Sequence, residues 1–152
     1  MSRLLVYDIE VYKNCFIFGC KDIYSGQVRR LFLYGENATL SHENRAKLSK
    51  IMHQNTMVGF NCHSYDGPLV WMAILGHSCK LIKHWSDRII NENIRHWEFS
   101  EIAGINPIPH WPNHVDLINI PKGEHGLKLY AGRLHAPKMQ ELPYHPAKIL
   151  TE

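Results

Sequence analysis

The sequence predicts an α/β fold in which a mixed β-sheet carries helices against it. Two observations predict this. Arg3 to Tyr7, Cys15 to Gly19 and Gln27 to Tyr34 are three short runs rich in branched and aromatic side chains, joined by short connections, as in an antiparallel meander. Behind them, helix-like and strand-like stretches alternate, which places helices on the sheet. A length of 152 residues suits one domain.

Each element has its own signal. Asp22 to Gly26 supplies turn chemistry between the second and third strands. Ser41 to His53 reads as a helix, with Ser41 as its N-cap and Leu48, Ile51 and Met52 at helical spacing. Thr56 to Phe60 returns to strand character. Asp66 to Leu75 reads as a second helix: Asp66 caps it, Pro68 sits in its first turn and Gly76 ends it. Apolar residues surround its axis, so it is expected to be buried. A third helix is expected over Ser86 to Trp97. Asn106 to Asn113 holds three prolines and reads as a loop, His114 to Ile120 as a strand, and Gly126 to Leu134 as a short helix. From Ala136 to Glu152 the chain is punctuated by proline and lacks periodicity.

Composition excludes more than it assigns. The longest apolar stretch, Pro68 to Leu75, is far too short to span a bilayer. Charge arrives at Asp8, too early for a secretory apolar region, so no membrane partner and a cytoplasmic location are expected. Cys15, Cys20, Cys62 and Cys79 form no C-x-x-C pair and read as reduced core thiols. The eleven histidines lack the regular spacing of a structural zinc site. A net charge of +3 permits contact with nucleic acid without demanding it.

Two constellations carry chemistry. Asp8 and Glu10 stand at the end of the first strand. Residues two apart on a strand share a face, so two carboxylates project together while Ile9 faces the other way. Such a pair repels itself unless a cation lies between, and Mg²⁺ and Mn²⁺ prefer these oxygen ligands. The bland reading is a pair of solvated acids. The second constellation, Asn61-Cys62-His63-Ser64-Tyr65-Asp66, lies between a strand and a helix. It sets Asp66 at a helix N-terminus, where the dipole favours an anion. Here the bland reading is an ordinary capping aspartate. In a mixed sheet the two constellations can converge on one cleft.

Val6-Tyr7-Asp8-Ile9-Glu10 resembles the first motif, D-x-E, of the proofreading 3′→5′ exonuclease domains of DNA polymerases. Asn61-x-x-x-Tyr65-Asp66 resembles their second motif. His114-Val115-Asp116-Leu117, followed by Gly126 to Leu134, resembles the exonuclease region of bacteriophage polymerases. The resemblance runs from Leu4 to about Pro143. It implies a ribonuclease H-like fold, the DEDD class of exonuclease, a role in DNA replication, and a single-stranded DNA 3′ end as substrate.

It also implies a mechanism in which two divalent metals, Mg²⁺ or Mn²⁺, flank the terminal phosphodiester and a metal-bound water attacks in line. Asp8 would bridge both metals, Glu10 would hold the metal carrying the water, and Asp66 would help hold the second. Asn61 and Tyr65 would shape the site around the DNA end.

The family's third motif, Y-x-x-x-D or H-x-x-x-x-D, has no counterpart. Asp116 is the last aspartate, and only Glu124, Glu141 and Glu152 follow it. The expectation is therefore a C-terminally incomplete domain with weak or absent activity on its own. It would be a truncated piece, a split gene product completed by a separate polymerase chain or C-terminal fragment, or a remnant. Asp116 is a candidate substitute ligand; its plainer role is to bind nearby backbone.

Trp71, Trp85, Trp97 and Trp111 are candidates for stacking on bases, with core packing as the plainer reading except at Trp111, whose loop leaves exposure open. Lys122, Lys128, Arg133 and Lys138, interleaved with Tyr130 and His135, form a loose basic series suited either to a DNA backbone or to solvent. His63 is expected to shape its loop. The competing functions are a non-catalytic nucleic-acid- or protein-binding module that keeps the fold, and an unrelated metal-dependent nuclease.

Overall fold

The computed structural model describes residues 2–111, 113–120, 126–134, 136, 144–145 and 147–151. It has a five-stranded mixed sheet in the order β3-β2-β1-β4-β5, flanked by helices. The strands are β1 (Leu4–Tyr12), β2 (Cys15–Asp22), β3 (Val28–Tyr34), β4 (Thr56–Gly59) and β5 (His114–Asp116). The first three pair antiparallel as a meander. β4 joins β1 in parallel and β5 joins β4 in parallel. This α/β arrangement is the expected class and is compatible with a ribonuclease H-like fold.

The β2–β3 turn works through Asp22, whose Oδ1 accepts the amides of Tyr24 at 2.9 Å and Ser25 at 3.0 Å. The helices are α1 (His42–Gln54), α2 (Asp66–Leu75), α3 (Cys79–Glu92), α4 (His96–Ala103) and α5 (Leu127–Arg133). Ser41 caps α1 by accepting the Asn44 amide at 3.2 Å. Gly76 closes α2 at φ +89°, a left-handed conformation that favours glycine.

Three expectations need correction. β1 runs on to Tyr12, so Asp8 and Glu10 lie inside the strand and not at its end. The helix expected over Ser86 to Trp97 is two helices. Ser78 caps α3, which begins at Cys79, seven residues ahead of the expected start, and Asn93 ends it in a left-handed conformation at φ 51°. α4 then restarts at His96, with the Glu98 carboxylate accepting the Arg95 amide at 3.3 Å. Finally, the strand expected over His114 to Ile120 is short: after Asp116 the chain turns into a 3₁₀ helix over Leu117–Asn119.

Leu5, Tyr7, Ile9 and Val11 alternate onto the inner face of β1 and join Phe16, Phe18, Leu48, Met52, Leu69 and Ile82 in one core. α2 is buried along most of its length, as its uniform apolarity predicts. The other face of the sheet is open. Val6, Phe32 and Val115 are exposed there, and Asp8 and Glu10 alternate onto it. At the hairpin end Leu150 is held: the Asn14 side-chain amide and the Tyr34 hydroxyl donate to its carbonyl at 2.8 and 2.7 Å. All four cysteines are free and buried. Among the described residues no helix is long and apolar enough to cross a membrane. Of the basic series, Lys122, Lys138 and the intervening His135 lie outside the described residues; Lys128 and Arg133 fall on α5.

Candidate functional site

The parallel pairing of β1 with β4 ends at Val6 and Val58. Beyond this point β1 continues, while the chain leaving β4 turns through Phe60–Tyr65 into α2. Strand and loop therefore diverge, and the crevice between them receives Asp66. Its Oδ1 accepts the Ile9 amide at 3.2 Å. The carboxylate thus takes a backbone donor that β4, having turned away, leaves unpaired. Asp66 is not the α2 cap the sequence predicts; Tyr65 holds that position without a side-chain bond, and the aspartate is the first helical residue.

The loop is built to make this turn. Asn61 adopts φ +56°, which asparagine tolerates better than most residues. Its carbonyl accepts the Tyr65 amide at 3.1 Å, and the Cys62 carbonyl accepts the Gly67 amide at 2.7 Å. Cys62 is wholly buried against Gly59, where an added Cβ would stand 2.6 Å from the Cys62 Cβ. The Tyr65 hydroxyl pairs with the Ser86 hydroxyl of α3 at 2.7 Å. Asn61 and Tyr65 therefore shape the loop; both also wall a hollow of about 560 Å³ shared with His63, Trp97 and Asp116.

Asp8 and Asp66 lie within hydrogen-bonding reach of each other. Burial first, and then the charge of Asp8, push the Asp66 carboxyl up to about 8. Asp8 is accessible from the open face, yet desolvation raises its carboxyl too. Desolvation and the neighbouring Asp8 raise Glu10 in turn. Two carboxyls this close need either a shared proton or a cation between them. An oxygen-only donor set suits a hard dication such as Mg²⁺ or Mn²⁺. Of the three predicted ligands, the fold joins Asp8 and Asp66 directly and puts Glu10 beside Asp8 on the same strand face. Among the described residues no three His, Cys, Asp or Glu side chains already form a ligand group.

Asp116 takes the plainer of its two roles. It is buried and accepts the amides of His63 at 2.9 Å and Ile118 at 3.1 Å. His63 is correspondingly a loop-shaping residue. The Cys62 thiol is pushed up to about 12, chiefly by burial, which leaves it protonated and unfit as a nucleophile.

Trp111, whose proline-rich loop left exposure open, is buried, whereas Trp97 is 66% exposed. Trp85 packs in the core edge-on to Phe99. Sequence reasoning missed α4 and, with it, a cavity of about 610 Å³ between α4, the Ile105–Trp111 loop and β5. The signal that marks α4 is Glu98 three residues after Arg95, the acceptor half of a capping box. Comparison with family models, with curated proteins and with solved structures gives no match.

Proposed function

We propose that the chain is a divalent-cation-dependent nuclease module acting on the 3′ end of single-stranded DNA, the metal-binding part of a proofreading 3′→5′ exonuclease of the bacteriophage polymerase type. The observation that carries this reading is the meeting of Asp8 and Asp66 where β1 and β4 diverge, with burial raising both carboxyls and the charge of Asp8 raising Asp66 further. A buried carboxyl that holds a proton beside a second carboxylate is a place where a cation can take the proton's role. Asp8 and Asp66 would hold Mg²⁺ or Mn²⁺, with Glu10 drawn in from the same strand face. The bound ion supplies positive charge against the phosphodiester. The Ile9 amide fixes the orientation of Asp66, and Asn61 and Tyr65 set the wall of the loop beside it.

With Asp116 committed to backbone amides, the fourth carboxylate that the resemblance requires is not supplied from that strand. A polymerase chain or fragment that brings a further carboxylate is the partner this reading expects. Four free, buried thiols suit a reducing cytoplasm. A second reading, a nucleic-acid-binding module without chemistry, is favoured by the exposed Trp97 beside an aromatic-walled cavity.

Thermal melting with and without Mn²⁺ tests the proposal. A ligand that binds only the folded state raises its melting temperature. Mn²⁺ is expected to stabilise the wild type and to have no effect on Asp8→Ala. Release of nucleotides from end-labelled single-stranded DNA then measures chemistry. Stabilisation without release favours the binding module, and no response in either assay removes the cation site.

A further inference from the structure

The sheet ends on one side at β3, whose outer edge pairs with no other strand among the described residues. The hairpin register fixes which backbone groups stand on that edge. Just beyond either end of β3, the Gly35 amide donates to the Asn14 carbonyl at 2.7 Å and the Asp22 amide donates to the Gln27 carbonyl at 2.9 Å. Both bonds continue the β2–β3 register, so the odd-numbered residues of β3 turn their backbone toward β2. The N–H and C=O of Arg30 and Phe32 therefore point away from the sheet. Among the described residues no backbone hydrogen bond reaches them.

A groove of about 810 Å³ follows this edge, between β3 and α1. Leu31 pairs with buried Phe18, so Arg29 and Leu31 face the inner side of the sheet and Arg30 and Phe32 the outer side. A hollow lined by all four in succession runs along the backbone edge that separates the two faces. Leu5, Phe18, Leu31 and Ile51 give it apolar lining. Its charge has one sign: Arg3, Arg29, Arg30, Lys47 and Lys50 line it, and among the described residues no acid does. Glu43 engages Lys47 from the same helix, and Arg3 lies 4.0 Å from Asp22. Arg29, Arg30 and Lys50 are exposed and form no ion pair among the described residues.

An unpaired strand edge is a template for a further strand. We propose that β3 accepts an extended acidic segment of a partner protein, which adds to the sheet beside it. The backbone of the segment pairs with Arg30 and Phe32, its apolar side chains rest on Leu31 and Ile51, and its carboxylates meet Arg29, Lys47 and Lys50. About four residues of the segment, roughly 13 Å of extended chain, match the Arg29–Phe32 stretch. Two other occupants fit less well. A nucleic-acid backbone also seeks cations, but its phosphates only accept, which sets anionic oxygen against the outward carbonyls of Arg30 and Phe32. A second copy of the chain brings the same cations to the groove. The inference goes beyond the proposed function and does not rest on it.

The test is fluorescence anisotropy with a labelled, terminally blocked peptide that alternates valine and glutamate, against the same peptide with lysine in place of glutamate. The glutamate peptide binds saturably and more weakly as salt is raised, and the lysine peptide does not bind. Arg29→Glu and Lys50→Glu, both at exposed positions, each weaken binding about tenfold. Phe32→Pro removes an outward N–H without breaking a β2–β3 bond, and weakens binding about fivefold or more. Phe32→Ala keeps that N–H and weakens it less. Circular dichroism verifies that each variant retains the sheet. Displacement of the peptide by a single-stranded oligonucleotide that itself loses affinity in Lys50→Glu overturns the proposal in favour of nucleic acid. A concentration-dependent dimer that Phe32→Pro abolishes overturns it in favour of a second copy. No saturable binding of the glutamate peptide, or binding that the charge reversals leave unchanged, overturns it outright.

Discussion

Asp66 is a buried carboxyl with Asp8 beside it, and pH exposes the cost. An ordinary carboxyl titrates near pH 4, whereas burial and Asp8 push this one up to about 8. The folded state therefore holds the proton more tightly than the unfolded chain. Stability from this group is complete below the unfolded value and is lost as pH rises through the folded one. In chelator, the melting temperature is expected to fall steadily between pH 5 and pH 8. Asp66→Asn should flatten that fall, because the amide has no proton to lose. With Mn²⁺ the sign reverses: stabilisation by the ion is larger at pH 8 than at pH 6, since the ion competes with the proton. Asn61 makes a second prediction at the same scale. Its φ of +56° suits glycine as well as asparagine. Asn61→Gly should retain the fold, whereas Asn61→Val should cost about 1–2 kcal/mol in denaturant melts.

The elements follow from caps and breaks that are short in sequence but decisive in space. Ser78 accepts the Leu81 amide at 3.4 Å and fixes where α3 begins. Ser78→Ala is expected to cost about 1 kcal/mol in urea unfolding, at the scale typical of a lost cap. The meander, α1 and α2 are legible in the sequence because turn residues, Ser41 and the Pro68–Gly76 frame mark their limits. α3 and α4 are not, since a helix break at Asn93 depends on one residue entering the left-handed region. Asp8, Glu10 and Asp66 were recognisable from their spacing. What spacing hides is why Asp8 and Asp66 meet: β4 stops short of β1, and the Ile9 amide finds no strand partner there but donates to Asp66. The burial of Trp111 and the exposure of Trp97 were also hidden, because each depends on α4, which packs Phe99 and leaves the indole of Trp97 outside.

At the scale of the whole molecule, the core lies on one side of the sheet, Asp8 and Glu10 alternate onto the other, and Asp66 is buried where β1 and β4 diverge. Helices α1 to α3 fill the inner face through Leu48, Met52, Leu69 and Ile82. The open face carries Val6, Phe32 and Val115 around Asp8 and Glu10. Asp8 and Glu10 therefore share a face outside the apolar packing. Anomalous diffraction from a crystal soaked in Mn²⁺ tests the central claim most directly. The account predicts one strong peak with oxygens of Asp8 and Asp66 at about 2.0–2.3 Å, typical of small hard dications, and Glu10 turned toward it. A saturating soak that leaves the crevice without a peak, or that places the ion on His63 and His96 instead, would contradict it.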